Sequence, residues 1–210
     1  MSENARRVAE ILLKTQAVKL NLENPFQWSS GWHSPIYCDN RVTLSYPEDR
    51  RFIRDSLSEL IKDNFGDAQH IAGVATAGIP QGALVADQLN KPFLYVRSKP
   101  KGHGMQNMIE GKAVEGETAV LVEDLISTGG SSLKAADALV EAGMKVNGLV
   151  AIFTYGFDHA VQNFADKGVP FLTLSNYDTL VEVALEMEYI KADQLDLLRS
   201  WRTDPENWGK

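Results

Sequence analysis

Apolar residues recur along this chain in two rhythms. Near the N-terminus Val8, Ile11, Leu12, Thr15 and Val18 fall at helical spacing and predict one face of a helix. The stretch SYPEDRRFIRDSLSELIKDNF predicts a second helix, with Pro47 near its first turn and an apolar stripe of Phe52, Ile53, Leu57, Leu60 and Ile61. Short, nearly continuous apolar runs follow: HIAGVA, PFLYVR, TAVLVED and VNGLVAIFTY, with VPFLTL a further candidate. Such runs, separated by amphipathic helices, predict buried strands. The fold class they imply is α/β, with a mostly parallel central sheet and helices on both faces. No repeat, low-complexity tract or Pro-, Gly- or Ser-rich linker interrupts residues 1–210, which read as a single domain.

Three segments break the rhythm. Residues 21–46 are irregular, and SGWHSPIYCDNR within them is dense in polar side chains. After PFLYVR, the stretch SKPKGHGMQNMIEGKAVEGE is long, Gly-rich and aperiodic; in a compact domain a loop of that length is usually functional or disordered. The C-terminal KADQLDLLRSWRTDPENWGK predicts a short helix and a polar tail.

Composition narrows the function classes. The chain is 44% hydrophobic and 23% charged, ordinary values for a globular protein. A formal net charge of −7 argues against general nucleic-acid affinity, yet it leaves room for a local positive pocket. The single cysteine, Cys38, rules out an intrachain disulfide or a multi-cysteine metal site and reads as a packed small residue. MSENARRVAEILLK is not a signal peptide, and no apolar run is long enough to span a membrane. A cytoplasmic protein with no membrane or nucleic-acid partner is expected. His33, His70 and His159 lack metal-ligand spacing, and no Ser/His/Asp or Cys/His pairing suggests covalent catalysis. Trp28 and Trp32 suit packing or subunit contact at least as well as stacking on a base.

The chemistry concentrates in VLVEDLISTGGSS, residues 120–132. An apolar strand runs into two adjacent carboxylates, Glu123 and Asp124, and then into a cluster of hydroxyls and glycines that opens a helix. Ligands of open parallel sheets bind beyond the carboxyl ends of the strands. A loop entering a helix N-terminus there is a phosphate cradle. Two acids beside it suit the hydroxyls of a ribose or the hydrated magnesium of a diphosphate. A ribose 5-phosphate satisfies both halves. The string lacks the GxxxxGK[ST] and GxGxxG patterns, which excludes the two commonest phosphate-loop alternatives.

Apolar run, two acids and STGGSS together resemble the 5-phosphoribosyl 1-diphosphate (PRPP) signature of type I phosphoribosyltransferases. YVRSKPKGHG resembles the catalytic loop of the orotate phosphoribosyltransferases, SSGWHSPIYCDNR their N-terminal hood, and GVATAGIP their pyrophosphate turn. These segments occur in the family's order between about residues 20 and 190. The resemblance implies the type I phosphoribosyltransferase fold, with residues ~20–46 part of a small hood. It implies that orotate and PRPP give orotidine 5′-monophosphate and diphosphate, with Mg2+, in de novo pyrimidine synthesis. It also implies a homodimer whose loops are shared between active sites.

Carried over residue by residue, the resemblance assigns Arg97, Lys101 and His103 to catalysis and to the diphosphate. It places Glu123 and Asp124 on the ribose hydroxyls, and Leu125, Ile126, Ser127, Thr128, Gly129, Gly130 and Ser131 in the PRPP site. Ser127 also falls where the family touches orotate; Arg41 and backbone N–H groups of the hood are candidates for the orotate carboxylate, with a structural ion pair the alternative for Arg41. The chain departs from some members at three positions: Ser98 follows the loop arginine, Ala77 replaces a lysine, and Tyr155 replaces an arginine. A salvage phosphoribosyltransferase would share the PRPP signature without RSKPKGHG. A non-catalytic PRPP-sensing regulator would carry a DNA-binding module, for which the roughly 20 residues before the hood are too few.

Overall fold

A computed structural model describes residues 2–28, 31–99 and 108–208. The chain divides into two compact units, one of residues up to Arg50 and from Ser175 onward, the other of Arg51–Leu174.

Helix α1 (Glu3–Lys14) is capped by the Ser2 hydroxyl, which accepts from the Ala5 amide at 3.1 Å, and it buries Val8, Ile11 and Leu12 as the spacing predicts. Val18 is equally buried but lies on a strand, because Gln16 adopts φ 57° and turns the chain out of the helix. Short strands follow: β1 (Val18–Leu20), β2 (Phe26–Gln27), β3 (His33–Ser34) and β4 (Ile36–Cys38). The antiparallel pairs β1–β4 and β2–β3 give regular structure to parts of the segment that reads as irregular from its many turn residues. A 3₁₀ turn (Asn40–Ser45) leads to helix α2 (Pro47–Phe65), which buries Ile53, Leu57 and Ile61 of the predicted stripe and leaves Phe52 and Leu60 half-buried.

The sheet elements come next: β5 (His70–Val74), helix α3 (Gly78–Leu89), β6 (Phe93–Val96), β7 (Ile109–Glu110) and β8 (Thr118–Ile126). Helix α4 (Gly130–Glu141), β9 (Lys145–Thr154), helix α5 (Asp158–Lys167) and β10 (Phe171–Asn176) complete them. Helices α6 (Tyr177–Glu186) and α7 (Leu195–Thr203) close the chain. The predicted runs all become strands. The aperiodic segment also contains one, β7, too short to leave a periodic signal.

Six strands form one sheet in the order β10-β9-β8-β5-β6-β7. The pairs β5–β6, β5–β8 and β8–β9 are parallel, and β7 is added antiparallel to β6. From β5 the chain crosses through α3 to one side, and from β8 through α4 to the other. Right-handed crossovers leaving in opposite directions put these helices on opposite faces, and both pack over β5, β6 and β8. The consequence for function is a reversal of strand order between β5 and β8.

In the other unit, α1 packs on α6, and the Ser175 hydroxyl donates to the Ala5 carbonyl at 2.8 Å. Trp28 is a packing residue: its indole N–H donates to the Ile36 carbonyl at 3.1 Å, and its ring meets Trp201 edge-on at 5.6 Å. Trp201, fully buried on α7, donates in turn to the His33 carbonyl at 3.2 Å. Among the described residues no helix is long and apolar enough to cross a membrane.

Candidate active site

Strand pairing itself opens the site. Strand β8 stays paired with β5 only as far as Gly73↔Val122, while its pairing with β9 continues to Ile126↔Thr154. Beyond Val122 one edge of β8 therefore faces a crevice. A cavity of about 270 Å³ fills it, lined by Ala75–Ala77 from the turn after β5 and by Glu123, Asp124, Leu125 and Ser127–Ser131 from β8 and the loop beyond. This is the switch point of the sheet, where open α/β folds bind ligands. The acids lie within β8 rather than at its end, since the strand runs to Ile126.

Gly129 shapes the cradle. It adopts φ +81°, and a Cβ there would meet the Phe164 ring of α5 at 2.6 Å. Only glycine fits both the dihedral and the contact. Gly129 makes no side-chain cap bond, and helix α4 starts at the next residue, so the helix presents backbone N–H groups and its positive end at the cavity wall. The Asn163 side chain steadies the turn, donating to the Thr128 carbonyl at 3.4 Å.

Glu123 is 5% exposed and Asp124 half-buried. Burial pushes the Glu123 carboxyl well above the ordinary glutamate range, and the charge of Asp124 pushes it further. Two bonds act against this: the Asp124 amide donates to Oε1 at 3.0 Å, and the Ser132 hydroxyl donates to Oε2 at 3.4 Å. Ser132 is absent from the predicted site set, although the second serine of GGSS falls on the inward side of the new helix.

The remaining candidates distribute as follows. Ile126 does not line the cavity; its side chain is fully buried and its carbonyl accepts from the Thr154 hydroxyl at 3.0 Å. Arg97 lines a smaller neighbouring pocket of about 40 Å³, together with Ser98, Ser131 and Lys134, and it approaches Glu110 at 3.6 Å. That pocket shares Ala75 and Ser131 with the main cavity. Arg41 lies in the first unit, its guanidinium on both oxygens of Asp39 at 2.6 and 2.9 Å. Tyr155 is 2% exposed and packs between Phe153 and Phe157, which removes it from ligand contact. Ala77 lines the cavity without a charge. Lys101 and His103 lie outside the described residues. Among the described residues no cluster of three or more His, Cys, Asp or Glu side chains could hold a metal ion.

Comparison with known proteins matches this arrangement. The family described as phosphoribosyl transferase domain matches residues 48–183. The chain is 57% identical to the orotate phosphoribosyltransferase of Cytophaga hutchinsonii over 205 residues, 98% of each chain. It is 52% identical to that of Enterococcus faecalis over 210 residues, 100% of each. Among solved structures, the orotate phosphoribosyltransferase of Aeropyrum pernix has a TM-score of 0.76 at 30% identity, covering 88% of this chain and 99% of that one. The UMP synthase of Leishmania donovani has a TM-score of 0.79 at 25% identity, covering 94% of this chain but 42% of that one.

Proposed function

The chain belongs to the phosphoribosyltransferase family, and from its full-length likeness to orotate phosphoribosyltransferases we propose that it transfers ribose 5-phosphate from PRPP to orotate. The products are orotidine 5′-monophosphate and diphosphate, on the route to UMP. One observation carries the reading: a single cavity joins a helix-N-terminal cradle to a carboxylate pair.

The cradle of Ser127–Ser131 suits the 5-phosphate, whose charge is attracted by the start of α4. Glu123 and Asp124 accept hydrogen bonds from the ribose hydroxyls and place negative potential beside the sugar, which becomes cationic as its anomeric bond breaks. Arg97, which lines the adjoining pocket, is read as a contact for the departing diphosphate, and the family resemblance implies the same task for Lys101 and His103. Ser127 is a candidate contact for orotate. Arg41 would have to leave Asp39 to meet the orotate carboxylate.

Magnesium fits as a partner of the substrate. Of the two acids in this polar cavity, the more exposed Asp124 would stand toward the ion, through a bound water. When bound, the ion would offset charge on the leaving group. Residues 20–46 as a hood, a cytoplasmic location and a homodimer with shared loops belong to the same proposal.

The test is direct. Incubation with PRPP, magnesium and one of orotate, uracil or hypoxanthine is expected to yield nucleotide with orotate alone. Turnover of uracil or hypoxanthine instead would assign a salvage reaction, and PRPP binding without turnover of any base would assign a regulator.

A further inference from the structure

Lys134 is an exposed lysine on α4, on the turn after the cradle. Its i+3 neighbour Asp137 is the ordinary partner for such a side chain. Here Lys167 occupies that acid, with its ammonium 2.9 Å from each carboxylate oxygen. The Lys134 ammonium instead donates to the backbone carbonyl of Ser98 at 3.0 Å, a contact that spans 36 residues of sequence.

The same stretch is fixed from its other side. Val96 pairs with Ile109, and the Arg97 amide donates to the Met108 carbonyl at 2.8 Å. The backbone of Arg97 is thus held between β7 and α4. Helix α4 is also the helix whose first turn forms the cradle, and Ser131, one turn before Lys134, lines both pockets.

We propose that Lys134 is a positioning residue for phosphoribosyl transfer. Its bond to Ser98 ties the Arg97 stem to the cradle helix, so the groups meeting the two phosphate-bearing ends of PRPP keep a fixed separation. This rests on the reading of Arg97 as a diphosphate ligand. A fixed separation matters because a transition-state contact displaced by an ångström loses much of its effect.

The test compares Lys134→Met, which keeps the stem and removes the donor, with Lys134→Arg. Loss of one charged hydrogen bond predicts a fall in kcat/KM for PRPP of roughly three- to thirtyfold in the Met variant. KM for orotate and the melting temperature should stay at the wild-type values, and Arg should restore most of the rate. Exchange of the Arg97 amide, which donates to the Met108 carbonyl beside the anchored Ser98, should quicken in the ligand-free Met variant. That last readout needs no turnover, so wild-type protein inactive on orotate would overturn the proposed function alone. Wild-type exchange rates in Lys134→Met, or failure of Arg to restore the rate, would overturn the anchor.

Discussion

Burial raises the Glu123 carboxyl first, and the adjacent Asp124 raises it further, so the folded protein holds that proton more tightly than the unfolded chain does. The contribution of Glu123 to stability is fully present below the unfolded value, near 4.5, and is lost as pH rises through the folded value. At neutral pH the ligand-free site therefore carries a cost, which the ribose hydroxyls of the proposed substrate would reduce by donating to the charged form. Glu123→Gln preserves the bond from the Asp124 amide and removes the titration. The ligand-free variant should melt above wild type at pH 8 and level with it near pH 4, by roughly 2–4 °C for each kcal/mol relieved in a domain of this size. Its PRPP affinity should fall. Thermal melts across pH with calorimetric titration of PRPP check both, and a melting difference that does not change with pH would place Glu123 in the scaffold.

At the scale of elements, the loop between β8 and α4 works through one left-handed residue. Gly129→Ala forces a Cβ into αL geometry and into the Phe164 ring. Gly168, at the end of α5, offers an internal control: it has φ +65° and nothing within 4 Å of a built Cβ. Both substitutions should lower stability by roughly 1–2 kcal/mol from the dihedral alone. Only Gly129→Ala should also weaken PRPP binding, on the order of tenfold or more, because re-aiming the first N–H groups of α4 spoils a multi-donor contact. Equal PRPP affinities in the two variants would separate this turn from phosphate binding.

The whole molecule adds the question of assembly. If the segment containing Lys101 serves a neighbouring subunit's site, two inactive variants should complement each other. Lys101→Ala alone is expected to cut turnover on the order of a hundredfold, as loss of a transition-state charge partner does. Asp124→Ala should be inactive for want of a ribose contact. Mixed and reassorted, the pair should recover roughly a quarter of wild-type sites, since about half the dimers are mixed and each has one intact site. Proof of mixed dimers without recovery would show that each subunit completes its own site.

Much of this molecule was readable locally. The runs HIAGVA, PFLYVR and TAVLVED are too continuously apolar to leave a core, so strands and a covered sheet followed from them. The acids and STGGSS are separated by only Leu125 and Ile126, and the cavity wall they contribute to could be read as a string. The short strands β1–β4 are not legible there, because two or three residues carry no period; nor is helix α6 picked out from the sequence, although its ten residues bury Leu180, Val181, Val183 and Ala184. Tertiary structure alone decided that β8 parts from β5 after Val122, which opens the crevice in which Ala75–Ala77, the turn that the resemblance of GVATAGIP points to, line one cavity with the acids. It alone decided that Arg41 meets Asp39, that Trp28 packs on Trp201, and that Lys134 reaches Ser98. Hydrophobic periodicity records which face of an element is buried. It does not record which other element buries it, and that choice depends on sheet order and register, set by the summed contacts of residues far apart in the chain.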